Sequence, residues 1–245
     1  MSQTPDQLPS SQHDRADDAI HDKRIKSFVL RQGRMTAAQQ RGIDEFLPKY
    51  GCTLEAGPFD AASVFGRTAP LVVEVGFGMG ASLLAQLQAM PDHDFVGIEV
   101  HLPGVGKLLC EAGDLDIQNL RVYRADAVEV LNQCFADESI DLFQLFFPDP
   151  WPKKKHHKRR IVQPPFVETI RRKLKIGGRF HLATDWEAYA EHMRDVMNAA
   201  PSYQNTAPAG EDFVPRPDSR PLTKFELRGE KLGHGVWDLI YRRCD

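Results

Sequence analysis

The feature that most constrains this chain is a repeating alternation, from residue 71 onward, of short apolar runs and longer stretches with helical periodicity. Apolar runs occupy 71–75, 95–100, 120–123 and 141–147, and helical segments fall between them at 81–89, 105–112 and 127–135. These runs are largely continuous, which is the pattern of strands covered on both faces. Strand and helix repeated in this way predict an α/β fold with a mostly parallel sheet and helices on each side. A helix over 165–174, stopped by Gly177 and Gly178, a strand over 179–183 and a helix over 186–199 continue the series. Residues 236–242 are read as a terminal, antiparallel strand.

Upstream, Thr36 opens a short capped helix expected to end before Pro48, and the Gly- and Pro-punctuated stretch 51–70 reads as a linker. Residues 1–27 carry too few apolar side chains to offset the cost of ordering, so a flexible polar tail is expected there and a single domain over 28–245.

Composition narrows the class. An apolar content of 42% with 27% charged residues belongs to a soluble globular chain, and no run approaches the roughly 18–20 apolar residues of a membrane span. The first residues lack the basic start and apolar stretch of a secretory signal. Cys52, Cys110, Cys134 and Cys244 are far apart and form neither a zinc knuckle nor a disulfide framework, so a cytoplasmic protein with reduced thiols is expected. A net charge of −3 argues globally against a nucleic-acid binder. The distribution of charge argues the other way, because residues 153–160 read Lys-Lys-Lys-His-His-Lys-Arg-Arg.

Two places concentrate chemistry. At Val73-Glu74-Val75-Gly76-Phe77-Gly78-Met79-Gly80-Ala81 a strand gives way to a helix, and Gly76, Gly78 and Gly80 let a ligand approach the main chain. Gly76, Gly78 and Ala81 also satisfy the G-x-G-x-x-G/A dinucleotide-binding form, so the glycines alone do not choose a cofactor. Glu99, at the end of the second strand, is placed to accept adenosyl ribose hydroxyls, and Asp126, after the third, to reach an adenine amino group. Glu74 adds a carboxylate where a sulfonium and an α-amino group would lie. Together the three acids favour S-adenosylmethionine. No Tyr-x-x-x-Lys pair supports a hydride-transfer enzyme, and the remaining rival is an RNA-binding module on a degenerate catalytic fold.

The second place is Pro148-Asp149-Pro150-Trp151-Pro152, a proline-stiffened turn at the carboxyl edge of the fourth strand. Its neighbours Lys153 to Arg160 form a cationic loop suited to phosphates, and Trp151 is read either as a base-stacking ring or as packing. In Rossmann-like methyltransferases this edge faces the transferable methyl. An acid there can accept from guanine N1–H and N2–H while leaving N7 free. His156 and His157 lack metal-pair spacing, and no metal is expected.

Glu-Val-Gly-Phe-Gly-Met-Gly at 74–80, Gly-Ile-Glu at 97–99, Phe-Pro-Asp-Pro-Trp-Pro-Lys-Lys-Lys-His-His-Lys-Arg-Arg at 147–160, Ala-Thr-Asp at 183–185 and Thr-Lys-Phe-Glu at 223–226 resemble the bacterial tRNA (guanine-N7-)-methyltransferases. The entry segment 28–39 is similar as well, so the resemblance spans residue 28 to the C-terminus. It implies a class I methyltransferase fold with a seven-stranded sheet, and methyl transfer from S-adenosylmethionine to N7 of a guanine in the tRNA variable loop. By matching positions it implies cofactor binding by Glu74, Gly76, Gly78, Gly80, Glu99 and Asp126, and Asp149 as the active-site acid. It further implies substrate contacts from Lys153, Asp185, Thr223, Lys224, Phe225 and Glu226, and RNA contacts from Lys155, His156, His157, Lys158, Arg159 and Arg160. Arg31, Arg34, Arg171 and Arg172 are weaker candidates for RNA. The expected enzyme is a monomer or homodimer with tRNA as its partner.

Overall fold

The computed structural model describes residues 26–29, 33–222, 226 and 235–245. Thr36 caps α1 (Ala37–Arg41) through a reciprocal capping box with Gln39, at 3.3 and 2.8 Å. The helix does not end before Pro48. It widens into a π-helical turn over Gly42–Phe46 and restarts as α2 (Leu47–Tyr50), where Pro48 sits in the first turn and its missing N–H is no loss. Nor is 51–70 only a linker: it contains β1 (Gly51–Cys52), a 3-10 turn over Leu54–Ala56 and α3 (Ala61–Phe65), capped by Asp60.

From there the alternation unfolds as expected: β2 (Leu71–Val75), α4 (Ala81–Ala89), β3 (Asp94–Ile98), α5 (Leu102–Asp114), β4 (Leu120–Tyr123), α6 (Ala127–Gln133) and β5 (Ile140–Phe146). α7 (Pro164–Lys173) then passes directly into β6 (Leu174–Thr184). Gly177 and Gly178 therefore do not stop a helix. They lie inside the strand, where Gly177 takes φ 83° and the register against β5 shifts between Ile140 and Leu142. α8 (Glu187–Ala199), the short β7 (Tyr203–Asn205) and β8 (Trp237–Arg243) complete the described elements.

Among the described residues the sheet has eight strands, one more than expected, in the order β1-β4-β3-β2-β5-β6-β8-β7. β1 and β7, the two strands not read from the sequence pattern, are short and lie at the two edges. All pairings are parallel except β6 with β8 and β8 with β7, so the last strand is antiparallel as its pattern suggested. Each face buries its own core. Val73, Val75, Phe143 and Phe180 pack under Val130, Ile170 and Met193, while Val72 and Phe95 pack under Leu83 and Leu108. The order reverses between β2 and β5, which opens a crevice at the carboxyl ends of the central strands.

Candidate active site

That crevice is a cavity of about 580 Å³ lined by the ends of β2, β3 and β5 and by the turn that follows β4. One wall is the loop Gly76–Met79, where Gly76 and Gly78 adopt φ of 75° and 56°, a left-handed backbone open to glycine at little cost. Glu99 stands opposite, and its carboxylate is fixed by three main-chain donors. Gly78 N–H donates to Oε2 at 2.9 Å, and Val100 and His101 N–H donate to Oε1 at 2.7 and 2.9 Å. A carboxylate has about four acceptor positions, so one on Oε2 remains for a ligand hydroxyl. Asp126 lines the next stretch of wall while its Oδ1 caps α6 by accepting from Val128 N–H at 2.9 Å.

The far wall is Phe146, Phe147, Pro148 and Asp149. Phe147 has φ 50°, unusual for a residue with a side chain, and its N–H donates to Ala183 O at 2.8 Å. This kink turns the chain so that Asp149 is exposed on the rim. Asp185 is exposed at the end of the adjacent strand, and Lys153 is exposed just beyond the proline turn. A cavity with a ribose-ready carboxylate, a glycine wall and apolar sides such as Val75, Ile98 and Leu145 fits S-adenosylmethionine.

A family model described as "Putative methyltransferase" matches residues 68–239. The tRNA (guanine-N(7)-)-methyltransferase of Chromohalobacter salexigens is 63% identical over 90% of this chain and 90% of its own, and that of Saccharophagus degradans 62% over 90% and 96%. The chain belongs to the tRNA (guanine-N(7)-)-methyltransferase family. The same-named protein of Pseudomonas aeruginosa aligns along the full length of both chains at 57% identity. Among solved structures, the 16S rRNA (adenine(1408)-N(1))-methyltransferase of Catenulisporales acidiphilia, solved with SAM, superposes with a TM-score of 0.53 at 16% identity, over 79% of this chain and 92% of that one. This is a likeness of fold, and the fold is that of class I methyltransferases.

Several residues that the family resemblance brings to the site turn inward. Glu74 is not among the residues lining the cavity. It points to the α4 side of the sheet, accepts from Gln86 Nε2 at 3.3 Å, and Gln86 accepts from Gln144 Nε2 at 2.8 Å. Burial pushes its carboxyl up to about 8, so it is chiefly the neutral acid at pH 7, not a ready countercharge. Glu226 is buried too, with Oε1 accepting from Arg220 Nη1 at 2.5 Å. Thr223, Lys224 and Phe225 lie outside the described residues, as do residues 1–25 of the expected tail and Arg31.

The basic run folds as a short 3-10 turn over Lys154–Arg159 with two kinds of side chain. Lys154, Lys155 and Lys158 are exposed, and His156 and His157 are half-buried. Arg159 lies over the Trp151 ring at 4.1 Å and donates to Lys26 O at 3.2 Å. Trp151 Nε1 donates to Ser27 O at 3.1 Å, so the ring packs and pins Ser27, the last residue of the expected tail, which lines the cavity with Phe28 and Val29 of the entry segment. Arg160 is buried, donates from Nε to Pro150 O at 2.9 Å and stacks 4.8 Å from the Tyr189 ring. It braces the proline turn.

Sequence reading missed a buried group behind the far wall. His181 Nε2 lies 2.7 Å from Asp238 Oδ1, and Arg220 grips both oxygens of the same carboxylate at 2.7 Å each. Burial pushes Asp238 up, hydrogen bonds from His181 and Arg220 pull it down, and the net shift is downward. The available signal was local: Gln144, His181 and Asp238 are buried polar residues that each stand between two apolar neighbours in a strand. Among the described residues no His, Cys, Asp and Glu cluster could hold a metal, and no helix is long and apolar enough to cross a membrane.

Proposed function

We propose that this enzyme transfers a methyl group from S-adenosylmethionine to N7 of a guanine in the variable loop of tRNA, forming 7-methylguanosine. The observation that carries the reading is one cavity with Glu99 and Asp126 on one wall and Asp149 on the other, in a chain about 60% identical to enzymes of that name. When bound, S-adenosylmethionine supplies an electrophilic methyl on a cationic sulfur. Glu99 accepts from a ribose hydroxyl on Oε2, Asp126 faces the adenine, and the bare main chain of Gly76 and Gly78 allows close approach, whereas Gly80, expected there too, is buried against Leu108 and serves the turn into α4. Glu74, turned to Gln86 of α4, takes no part in the cofactor wall.

Guanine N7 carries a lone pair and no proton, so no general base is required. Asp149 accepts from N1–H and N2–H, holds the base with N7 toward the methyl and offsets the charge that develops on the alkylated ring. Asp185 and Lys153 flank the base on the same rim. Thr223, Lys224 and Phe225 complete the substrate contacts by family likeness, while Glu226, buried against Arg220, is turned away from the substrate. Exposed Lys155 and Lys158, with His156, His157 and Arg159 behind them, meet tRNA phosphates. We place the enzyme in the cytoplasm, as a monomer or homodimer whose catalytic domain begins near residue 28.

The test incubates the enzyme with methyl-labelled S-adenosylmethionine and an unmodified tRNA transcript and maps the labelled nucleosides, with Asp149→Ala alongside. Label in variable-loop 7-methylguanosine that disappears in the variant supports the reading. Label in another nucleoside, or none despite cofactor binding, overturns it.

A further inference from the structure

Arg220 is 1% exposed, the most completely buried arginine among the described residues, and it is placed behind the wall that carries Asp149. Three of its guanidinium N–H positions are engaged. Nε and Nη2 meet Oδ1 and Oδ2 of Asp238 at 2.7 Å, and Nη1 meets Glu226 Oε1 at 2.5 Å. The plane so held lies against two rings, 5.9 Å from the Phe146 centroid and 5.6 Å from that of Phe147. These are the last residues before Pro148 and Asp149, and Phe147 is the one whose φ of 50° makes the kink.

A left-handed backbone at a phenylalanine persists only when its surroundings over-determine it. Three contacts do so here. Ala183 O receives the Phe147 N–H, His181 meets Phe146 edge-on at 4.8 Å, and the guanidinium backs both rings. They converge on one strand pair, since Asp238 of β8 is in register with Ala183 of β6 and also binds His181. Stability alone is a weak reason for this arrangement, because a buried ion pair is often no better than apolar side chains of the same volume. A rigid planar fork that fixes one geometry is a better one.

We infer that Arg220 is a positioning residue for catalysis: clamped by Asp238 and Glu226, it holds the Phe146–Phe147 kink in the one backbone conformation that presents Asp149 to the base. The inference rests on the reading of Asp149 as the active-site acid, and it assigns Arg220 no contact with cofactor or tRNA.

The test is a double-mutant cycle in the full-length enzyme with Arg220→Lys, Asp149→Ala and the pair, following kcat, KM for tRNA, Kd for S-adenosylmethionine and thermal stability. Arg220→Lys keeps the charge and loses the fork. It is expected to lower kcat about 10- to 100-fold, the cost of a small misplacement at a reacting centre, with cofactor affinity unchanged. In the double variant kcat should fall no further than in Asp149→Ala alone, because a displaced residue that has already been removed cannot be lost twice. Unchanged kcat per folded molecule in Arg220→Lys, or losses that multiply in full, would overturn the inference and leave Arg220 a structural residue. Full activity in Asp149→Ala would instead overturn the reading of Asp149. Should Arg220→Lys fail to fold, the near-isosteric Asp238→Asn, which weakens the clamp while keeping the strand, takes its place in the cycle with the same expectations.

Discussion

Glu74 shows how an acid can belong to a binding loop in sequence and yet face the protein interior. Its carboxyl is pushed from its ordinary 4.5 up to about 8 by burial, so across that interval the unfolded chain has released a proton that the folded one still holds. Fewer protons bound in the unfolded state means that stability of the free enzyme falls as pH rises through this window. Glu74→Gln should therefore flatten the pH dependence of the melting temperature between those values and be the more stable form at pH 8, by an amount on the order of a few kcal/mol. Equal slopes for the two proteins would show that Glu74 ionises normally. Arg160 shows the same inward turn in a cation. Removing its contacts with Pro150 O and Tyr189 by Arg160→Ala should cost about 1–3 kcal/mol in urea unfolding, whereas Lys158→Ala, on an exposed side chain, should cost nothing measurable.

Between elements, the cavity is shaped by two close approaches. The first turn of α5 runs so near the glycine loop that a Cβ on Gly104 would overlap the Gly78 carbonyl. Gly104→Ala should push that loop into the cavity, lowering stability by about 1–3 kcal/mol and weakening S-adenosylmethionine binding in calorimetry. The other approach is the entry segment, held across the cavity by Trp151 Nε1 on Ser27 O. Trp151→Phe keeps a ring under Arg159 and removes the donor, so cofactor Kd should rise about fivefold, the worth of one hydrogen bond of about 1 kcal/mol. An unchanged Kd would mean that this bond does not shape the site. Element boundaries were readable where a pattern ran uninterrupted, as in β2, α4 and β4. They were not readable at β6, whose early glycines resemble a helix stop, nor at β1 and β7, which are too short to show a period.

For the molecule as a whole, a net charge of −3 coexists with a cationic rim because the positive groups are gathered beside the catalytic edge. Binding to tRNA should weaken linearly with the logarithm of salt concentration, and neutralising Lys155 and Lys158 together should lower that slope by roughly one to two, leaving cofactor affinity intact. A slope equal to that of the wild type would remove these lysines from the interface.

Much of the candidate site could be read from the sequence for a physical reason: a parallel strand ends where its apolar run ends, and in a doubly wound sheet all such ends share one edge. Glu99, Asp126 and Asp149 therefore had to meet once the alternation was recognised, and they do. What the sequence could not determine is the direction each side chain takes when the chain twists or kinks. Strand phase sends Glu74 to the face away from the cavity, the kink at Phe147 sends Asp149 into it, and a contact 18 residues away in sequence, Arg220 with Asp238, stands behind that kink. Local pattern determined which residues lie at the edge. Only tertiary packing, through buried charges that must find partners wherever the fold supplies them, decided which of those residues face a ligand and which hold the others in place.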